Sequence, residues 1–491
     1  MILVIILLHI AEYAVDTVDA VRPVPDQNTV CAFENVSSNY GMCRPACPYL
    51  VSHSPCKLLL EIAFKIICFH GSLSDLEHQL SAAVYKLHCS SGSEVTHQNI
   101  IRVFPTAGFE LIDTTEFVEE ETLPSYNAAN YYPVRIGEVL NRRYQVLTKL
   151  GYGVTSTVWL CHDLSNSKYI ALKVYVHGVE KNNELSVYDR TNSVETDHMG
   201  KLFMRKLLDH FHIEGPHGHH TCLVLQPLGI TVEQFLCFCP GRVMTIDDLK
   251  PCLRQVLGVL DFLHTQAHII HTDLQLKNLL LPGNDPKSFS DLEEAELKDP
   301  SPRKILDGRE IYLSRMPIPG NGLPLLSDFG EARFSNEEHR EDIMPNVYRA
   351  PEVVLKMNWD CKVDIWNVAL MAWDMVCHRT LFQGRNSDDI FDDRAHLAEM
   401  MAILGPPAAE FVTKSPVGSV FWDENGRRKN LFSIPNALLD ELAADIQGHN
   451  KKGFLQFMQR ALKWDPEDRL TAWELMLDPW MMEGLELRKR G

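Results

Sequence analysis

Two short runs of the chain place oxygen-bearing side chains at telling intervals. His271-Thr272-Asp273-Leu274-Gln275-Leu276-Lys277-Asn278 sets an asparagine five positions after an aspartate, directly behind the apolar pair Ile269-Ile270. Ser327-Asp328-Phe329-Gly330 adds a second aspartate behind Leu325-Leu326. Asp328 and Asn278 are hard oxygen donors, the kind that suits Mg²⁺ bridging nucleotide phosphates. Upstream, Gly151-Tyr152-Gly153-Val154-Thr155-Ser156-Thr157-Val158 allows close approach of backbone to phosphate. No Gly-Lys-Ser/Thr follows, so it is not a Walker A loop. Ala171-Leu172-Lys173-Val174 adds a cation between apolar neighbours. The set is suited to a phosphate-bearing, metal-loaded ligand.

Each piece has a plainer reading. The glycines suit a β-hairpin turn, and Lys173 an edge or surface position. Glu184, in Asn183-Glu184-Leu185-Ser186-Val187-Tyr188, suits a solvated helix charge. Asp273 and Asn278 suit an Asx-rich turn, and Asp-Phe-Gly is common in turns. The order of the pieces carries the weight. Ala350-Pro351-Glu352, Asp364-Ile365-Trp366 and Trp464-Asp465-Pro466-Glu467-Asp468-Arg469 follow in sequence.

The elements that must hold these groups change character along the chain. Tyr144 to Leu150, Thr157 to His162 and Tyr169 to Val176 read as strands. Ile246 to Thr265 and Val363 to Cys377 read as helices. A β-rich part followed by a helical part predicts an α+β chain, a small sheet lobe on a larger helical lobe. Residues 1–118 show no motif; Leu58 to Phe69 reads as a short helix with Glu61 and Lys65 paired one turn apart. Glu119-Glu120-Glu121 and the Tyr/Asn/Pro-rich stretch to Pro133 read as a linker, within a flank at 119–143.

Composition narrows the partners. The 491 residues are 45% apolar and carry a net charge of −18. That charge argues against direct nucleic-acid binding and suits basic partners. Of 13 cysteines, six fall in the first hundred residues; the rest lack paired metal spacing and read as small buried hydrophobes in a reducing compartment. The apolar run Met1 to Ile10 is too short to span a bilayer. It resembles a signal-peptide core, with Ala20 near a cleavage site and Asn35-Val36-Ser37 as a sequon, but no Lys or Arg precedes it.

The ordered motifs make the chain resemble a eukaryotic protein kinase, and several details are similar to the SR-protein kinases, which phosphorylate serines in arginine–serine-rich splicing factors. Those details are Tyr132-Pro133-Val134-Arg135-Ile136-Gly137-Glu138, Arg143-Tyr144, Lys149 to Gly153, and Ser156-Thr157-Val158-Trp159-Leu160. His271-Thr272-Asp273 carries Thr for the usual Arg, a long insert separates Asn278 from Asp328, and Asp342-Ile343 leads to Asn346-Val347-Tyr348-Arg349-Ala350-Pro351-Glu352. The resemblance covers residues 119–487. It implies a kinase domain at 144–487, with an N-lobe at 144–228, a C-lobe at 229–487 and an insert near 283–322.

The resemblance also implies roles. Asp273 would orient and deprotonate the substrate serine. Lys173 would hold the α- and β-phosphates of ATP and pair with Glu184, Glu195 being the second choice. Asn278 and Asp328 would hold Mg²⁺. Leu150, Gly151, Gly153, Ser156, Val158 and Ala171 would line the nucleotide site. Leu225 would be the gatekeeper, with Gln226 and Leu228 bonding adenine; Pro227 between them lacks an N–H but need not donate. Glu352 would pair with Arg469. The implied partners are protein substrates, basic and arginine/serine-rich, with no membrane, for a monomer in cytoplasm and nucleus that regulates mRNA splicing.

Some residues depart from the pattern. Gln275 stands where the family has a lysine steadying the γ-phosphate, and Lys277 lies two positions on. That departure favours a pseudokinase scaffold as the alternative; a small-molecule phosphotransferase is disfavoured by Ala350-Pro351-Glu352 and Arg469. Thr272 removes the arginine that binds activation-loop phosphate, which predicts activity without loop phosphorylation. Asp388, Asp389, Asp392, Asp393 and Glu399 read either as a dock for arginine-rich peptides or as an acidic helix start.

Overall fold

A computed structural model describes residues 101–485, apart from 179–182, 284–285, 319, 321, 424–426, 430–432 and 447. The expected Leu58–Phe69 helix, the Met1–Ile10 run, the Asn35 sequon and the six early cysteines lie outside the described residues.

The small lobe is an antiparallel sheet. Its strands are β1 (Val139–Leu140), β2 (Tyr144–Gly153), β3 (Ser156–Asp163), β4 (Lys168–Tyr175), β5 (Leu207–Gly215) and β6 (Gly218–Leu225), in the order β1-β2-β3-β4-β6-β5. β2 and β3 form a hairpin whose tip pairs Gly153 with Ser156. β-branched and aromatic residues fill β2 to β4, and one face buries Val146, Trp159, Cys161, Ile170, Leu172 and Val174. Helix α1 (Asn183–Ser193) leaves the sheet after β4 and buries Glu184, Val187 and Tyr188.

The larger lobe is built on α2 (Ile246–Phe262) and α4 (Lys362–Val376). The Thr245 hydroxyl caps α2 by accepting from the Asp248 N–H. α4 is apolar almost all round and buries thirteen of its residues, so it is a central helix. Short strands β7 (Leu228–Thr231), β8 (Ile269–Ile270), β9 (Leu279–Pro282), β12 (Leu325–Leu326) and β13 (Arg333–Phe334) frame the cleft. α5 (Asp393–Leu404) and α6 (His449–Ala461) also belong to this lobe, with several shorter helices.

Two stretches take roles that differ from the sequence expectation. The insert forms helix α3 (Pro286–Lys298) and a hairpin, β10 (Arg303–Leu306) with β11 (Arg309–Tyr312), and both pack on the small lobe. Phe289 and Leu292 of α3 join Phe104, Leu147 and Leu160 in one apolar cluster. Tyr312 of β11 meets Trp159 edge-on at 5.7 Å.

The acidic run at 119–121 is a structured turn and not a simple linker. Glu119–Thr122 forms a short 3₁₀ turn. Glu120 and Glu119 both pair with Lys149, the latter at 3.4 Å, and Glu121 pairs with Lys304 at 2.9 Å. Lys149 and Lys304 are 1% and 2% exposed, so each needs a counter-charge that the acidic run supplies. Residues 101–118 also lie on this layer: the Arg102 N–H donates to Gln145 Oε1 at 2.9 Å, and Leu111 bridges Arg303.

Candidate active site

The catalytic loop follows β8 and is fixed from below. Asp364 on α4 is fully buried; its carboxylate accepts from the backbone N–H groups of His271 at 2.8 Å and Thr272 at 2.9 Å, and lies 2.8 Å from His264 Nε2. Burial raises its pKa, yet His264, His271 and these donors outweigh that and hold it below the usual carboxylate range. Thr272 adopts φ +63°, a left-handed conformation that costs energy for a β-branched residue. Asp364 and the Thr272 hydroxyl, which donates to the Glu331 carbonyl at 2.6 Å, enforce it. The sequence pattern marked Asp364-Ile365-Trp366 but gave Asp364 no role.

Asp273 and Asn278 meet across this loop. Asn278 Nδ2 donates to Asp273 Oδ2 at 2.8 Å and to the Asp273 carbonyl at 2.8 Å. Gln275 Nε2 donates to the other oxygen, Asp273 Oδ1. Lys277 is exposed on the same loop.

β9 pairs with β12, placing Leu279 opposite Leu326. The Ser327 N–H then donates to the Asn278 carbonyl at 2.9 Å, which brings Asp328 beside Asn278. Asp328 also has a left-handed backbone, at φ +63°. Phe329 behind it is fully buried between His271, at 5.3 Å, and Tyr188 of α1, at 5.5 Å.

Lys173 on β4 joins the two lobes. Its Nζ lies 2.7 Å from Glu184 Oε2 and 2.9 Å from Asp328 Oδ1. The Tyr175 hydroxyl also donates to Glu184 Oε2, a bond the sequence gave no sign of. Burial disfavours the Lys173 charge, but Asp328 and Glu184 overcome it and lift the pKa well above the usual lysine value. Burial raises the Asp328 carboxyl in the same way; Lys173 more than offsets it, to about 2. Both groups are charged at neutral pH. Glu195 is exposed and takes no part.

The residues expected at the nucleotide site lie on the small-lobe strands and the segment that follows them. Ala171 pairs with Leu225 across β4 and β6, and both are buried. Leu150 and Val158 pack as partly buried residues on the main core. Gly151 and Gly153 sit in the β2–β3 hairpin, and Ser156 is buried at its tip, opposite Gly153. Leu228 is buried in β7. Gln226 follows β6, and its carbonyl already accepts from Arg205 Nε at 2.9 Å, so any adenine contact there uses the second lone pair.

The donor set suits a divalent cation. The Asp328 side chain is 46% exposed to the cleft and ionised. The Asn278 amide nitrogen faces Asp273, which turns its oxygen the other way. Two hard oxygens from the protein, completed by phosphate oxygens, is the Mg²⁺ pattern.

Other predicted groups fall as follows. Arg469 and Glu352 form a bidentate pair at 2.6 Å and 2.6 Å, both side chains fully buried. Of the acidic cluster, Asp392 caps α5 and pairs with Arg394, Asp393 pairs with Arg349 at 3.4 Å, and Asp389 with Arg385 at 3.2 Å. Glu399 accepts from the Gln383 and Gly384 N–H groups at 2.8 and 2.9 Å. Among the later cysteines, Cys161, Cys222, Cys252 and Cys377 are buried as expected, whereas Cys237 is exposed.

A sheet lobe, a helical lobe and this cluster between them define a phosphotransferase of the protein kinase class. Residues 144–481 match the protein kinase domain family, and the chain belongs to it. A serine/threonine protein kinase of Aspergillus fumigatus is 42% identical over 383 residues, covering 77% of this chain and 94% of the relative. The serine/threonine-protein kinase SRPK of Physarum polycephalum is 27% identical over 400 residues, covering 74% and 92%. Mouse SRSF protein kinase 3 is 22% identical over 513 residues, covering 74% and 90%. A solved kinase-domain crystal structure superposes with a TM-score of 0.56 at 23% identity, covering 72% of this chain and all of that one. The chain is thus a serine/threonine protein kinase with SR-protein kinases among its relatives. Enzymes of this class use ATP and a divalent cation.

Proposed function

We propose that the chain transfers the γ-phosphate of ATP to serine hydroxyls in arginine/serine-rich, splicing-related proteins, in cytoplasm and nucleus. The observation that carries the catalytic part is the convergence of Lys173, Glu184, Asp328, Asn278 and Asp273 from four separate segments. Asp273 accepts the serine proton, its carboxylate aimed by Asn278 and Gln275. Lys173, held by Glu184, anchors the α- and β-phosphates. Asn278 and Asp328 hold Mg²⁺, which when bound neutralises phosphate charge.

Two observations support basic substrates. Relatives carry the SR-protein kinase name. A groove beside α5 is lined by Glu399, Glu441 and Asp445, with His378 and Arg379 in the same wall. Asp389, Asp392 and Asp393 are engaged in ion pairs and Glu399 in backbone hydrogen bonds, which leaves Glu441 and Asp445 as the groove's carboxylates for a basic peptide.

The test is a radiolabel transfer assay on an arginine–serine-rich protein and on a neutral serine peptide. Asp273→Asn is expected to abolish transfer to both. Glu441→Gln with Asp445→Asn is expected to slow only the arginine–serine substrate; equal losses on both substrates remove the docking reading.

A further inference from the structure

The glycine-rich hairpin is held at both ends by parts of the chain outside the matched kinase domain or inserted into it. At the tip, the Tyr131 hydroxyl lies 3.0 Å from the Gly153 carbonyl and 3.0 Å from the Val154 carbonyl, one proton serving two acceptors. Tyr131 is 5% exposed and packs its ring 5.3 Å from Tyr126. Burial pushes its pKa up to about 12, so it donates throughout the physiological range.

Tyr131 is itself pinned. The Arg309 guanidinium, at the start of β11 in the insert, donates to the carbonyls of Ala128 and Tyr131. The neighbouring Asn130 carbonyl accepts from the His177 N–H at 2.9 Å, tying the same turn to the end of β4. At the base of the hairpin, Lys149 pairs with Glu119 and Glu120 and donates to the Tyr312 carbonyl at 3.2 Å. The Arg315 N–H returns to the Lys149 carbonyl at 2.8 Å.

These contacts have one chemical feature in common with the loop's task. At the tip they engage the carbonyl groups of the loop, which cannot bind phosphate, and leave its N–H groups for the nucleotide. The anchor therefore fixes the loop without competing for its ligand. Loops covering phosphates are ordinarily the mobile part of such sites.

We infer that Tyr131 is a positioning residue for the glycine-rich loop, and that Arg309 of the insert sets loop closure, and hence ATP affinity, through Tyr131. This rests on the reading that the loop covers ATP. The insert thereby has a defined function on the small lobe, separate from any role in substrate choice.

The test uses the full chain with a fluorescent ATP analogue, steady-state kinetics and thermal melting. Tyr131→Phe keeps the ring and removes only the hydroxyl. It is expected to raise the KM for ATP and the analogue Kd about three- to tenfold, the worth of one hydrogen bond. The KM for the peptide and the melting temperature are expected to hold. Arg309→Ala should shift ATP affinity in the same direction, and the double variant should match the larger single effect because both act on one contact. Unchanged ATP affinity in Tyr131→Phe, or strictly additive losses in the double variant, overturns the inference. If the unmodified chain binds no nucleotide, the reading of the cleft fails instead.

Discussion

The side-chain amide of Gln275 donates to Asp273 Oδ1, on the carboxylate that Asn278 holds from the other side. An amide thus stands where the family resemblance places a lysine aimed at the γ-phosphate. It orients the base but brings no charge to the phosphate. Gln275→Lys is expected to raise kcat by about a hundredfold, the lower end of what one transition-state donor contributes. Initial rates at saturating ATP check this. An unchanged rate would mean the amide already suffices.

The chain's own side chains fasten the segment between Asp328 and Glu352. Arg333 Nε donates to Glu341 Oε1 at 3.0 Å, His339 Nδ1 lies 3.4 Å from the same atom, and the Trp359 indole donates to the Glu341 carbonyl at 3.1 Å. The His339 ring stacks on Trp359 at 4.5 Å. Phosphatase treatment is therefore expected to leave turnover unchanged, while Glu341→Ala slows it. A several-fold drop on dephosphorylation would contradict this.

Arg469 and Glu352 stabilise the chain only as a pair. Glu352→Gln leaves a fully buried guanidinium without its counter-charge, at a cost of about 3–5 kcal/mol. Urea unfolding of the variant measures it. Replacing both residues by apolar side chains of similar size is expected to cost less than the single change.

Asp374 on α4 introduces a pH dependence. Burial raises its pKa from 3.8 to about 6, against the lowering effect of the Tyr348 hydroxyl bond. Between those values the folded chain keeps a proton that the unfolded chain has released. Raising the pH through that window therefore removes stability. Asp374→Asn is expected to flatten stability between about pH 4 and 6, read from unfolding midpoints across that range.

Much of this was legible in the residues. β2, β3 and β4 lie where Tyr144–Leu150, Thr157–His162 and Tyr169–Val176 read as strands, and α2 begins at Ile246, where the helical pattern begins. Lys173, Asp273, Asn278 and Asp328 converge because each sits at a fixed offset from a strand end. Asp364 was less legible, since a buried carboxylate that serves backbone N–H groups leaves no periodic trace. The acidic turn was less legible still. Lys149 finds Glu120 29 positions away, and Lys304 finds Glu121 183 positions away. No local pattern encodes such pairings. A Tyr/Asn/Pro-rich stretch has no hydrophobic period, so its hold on the glycine loop shows only in three dimensions.

The burial of Lys149 bears on how portable the catalytic unit is. The family's boundaries begin at Tyr144, after Glu119 and Glu120 have passed. A fragment cut there retains each motif by which the enzyme is recognised, yet strands a lysine ammonium in a dry interior. Such a fragment is expected to be insoluble or inactive, and its failure would say nothing about the chemistry of the intact chain.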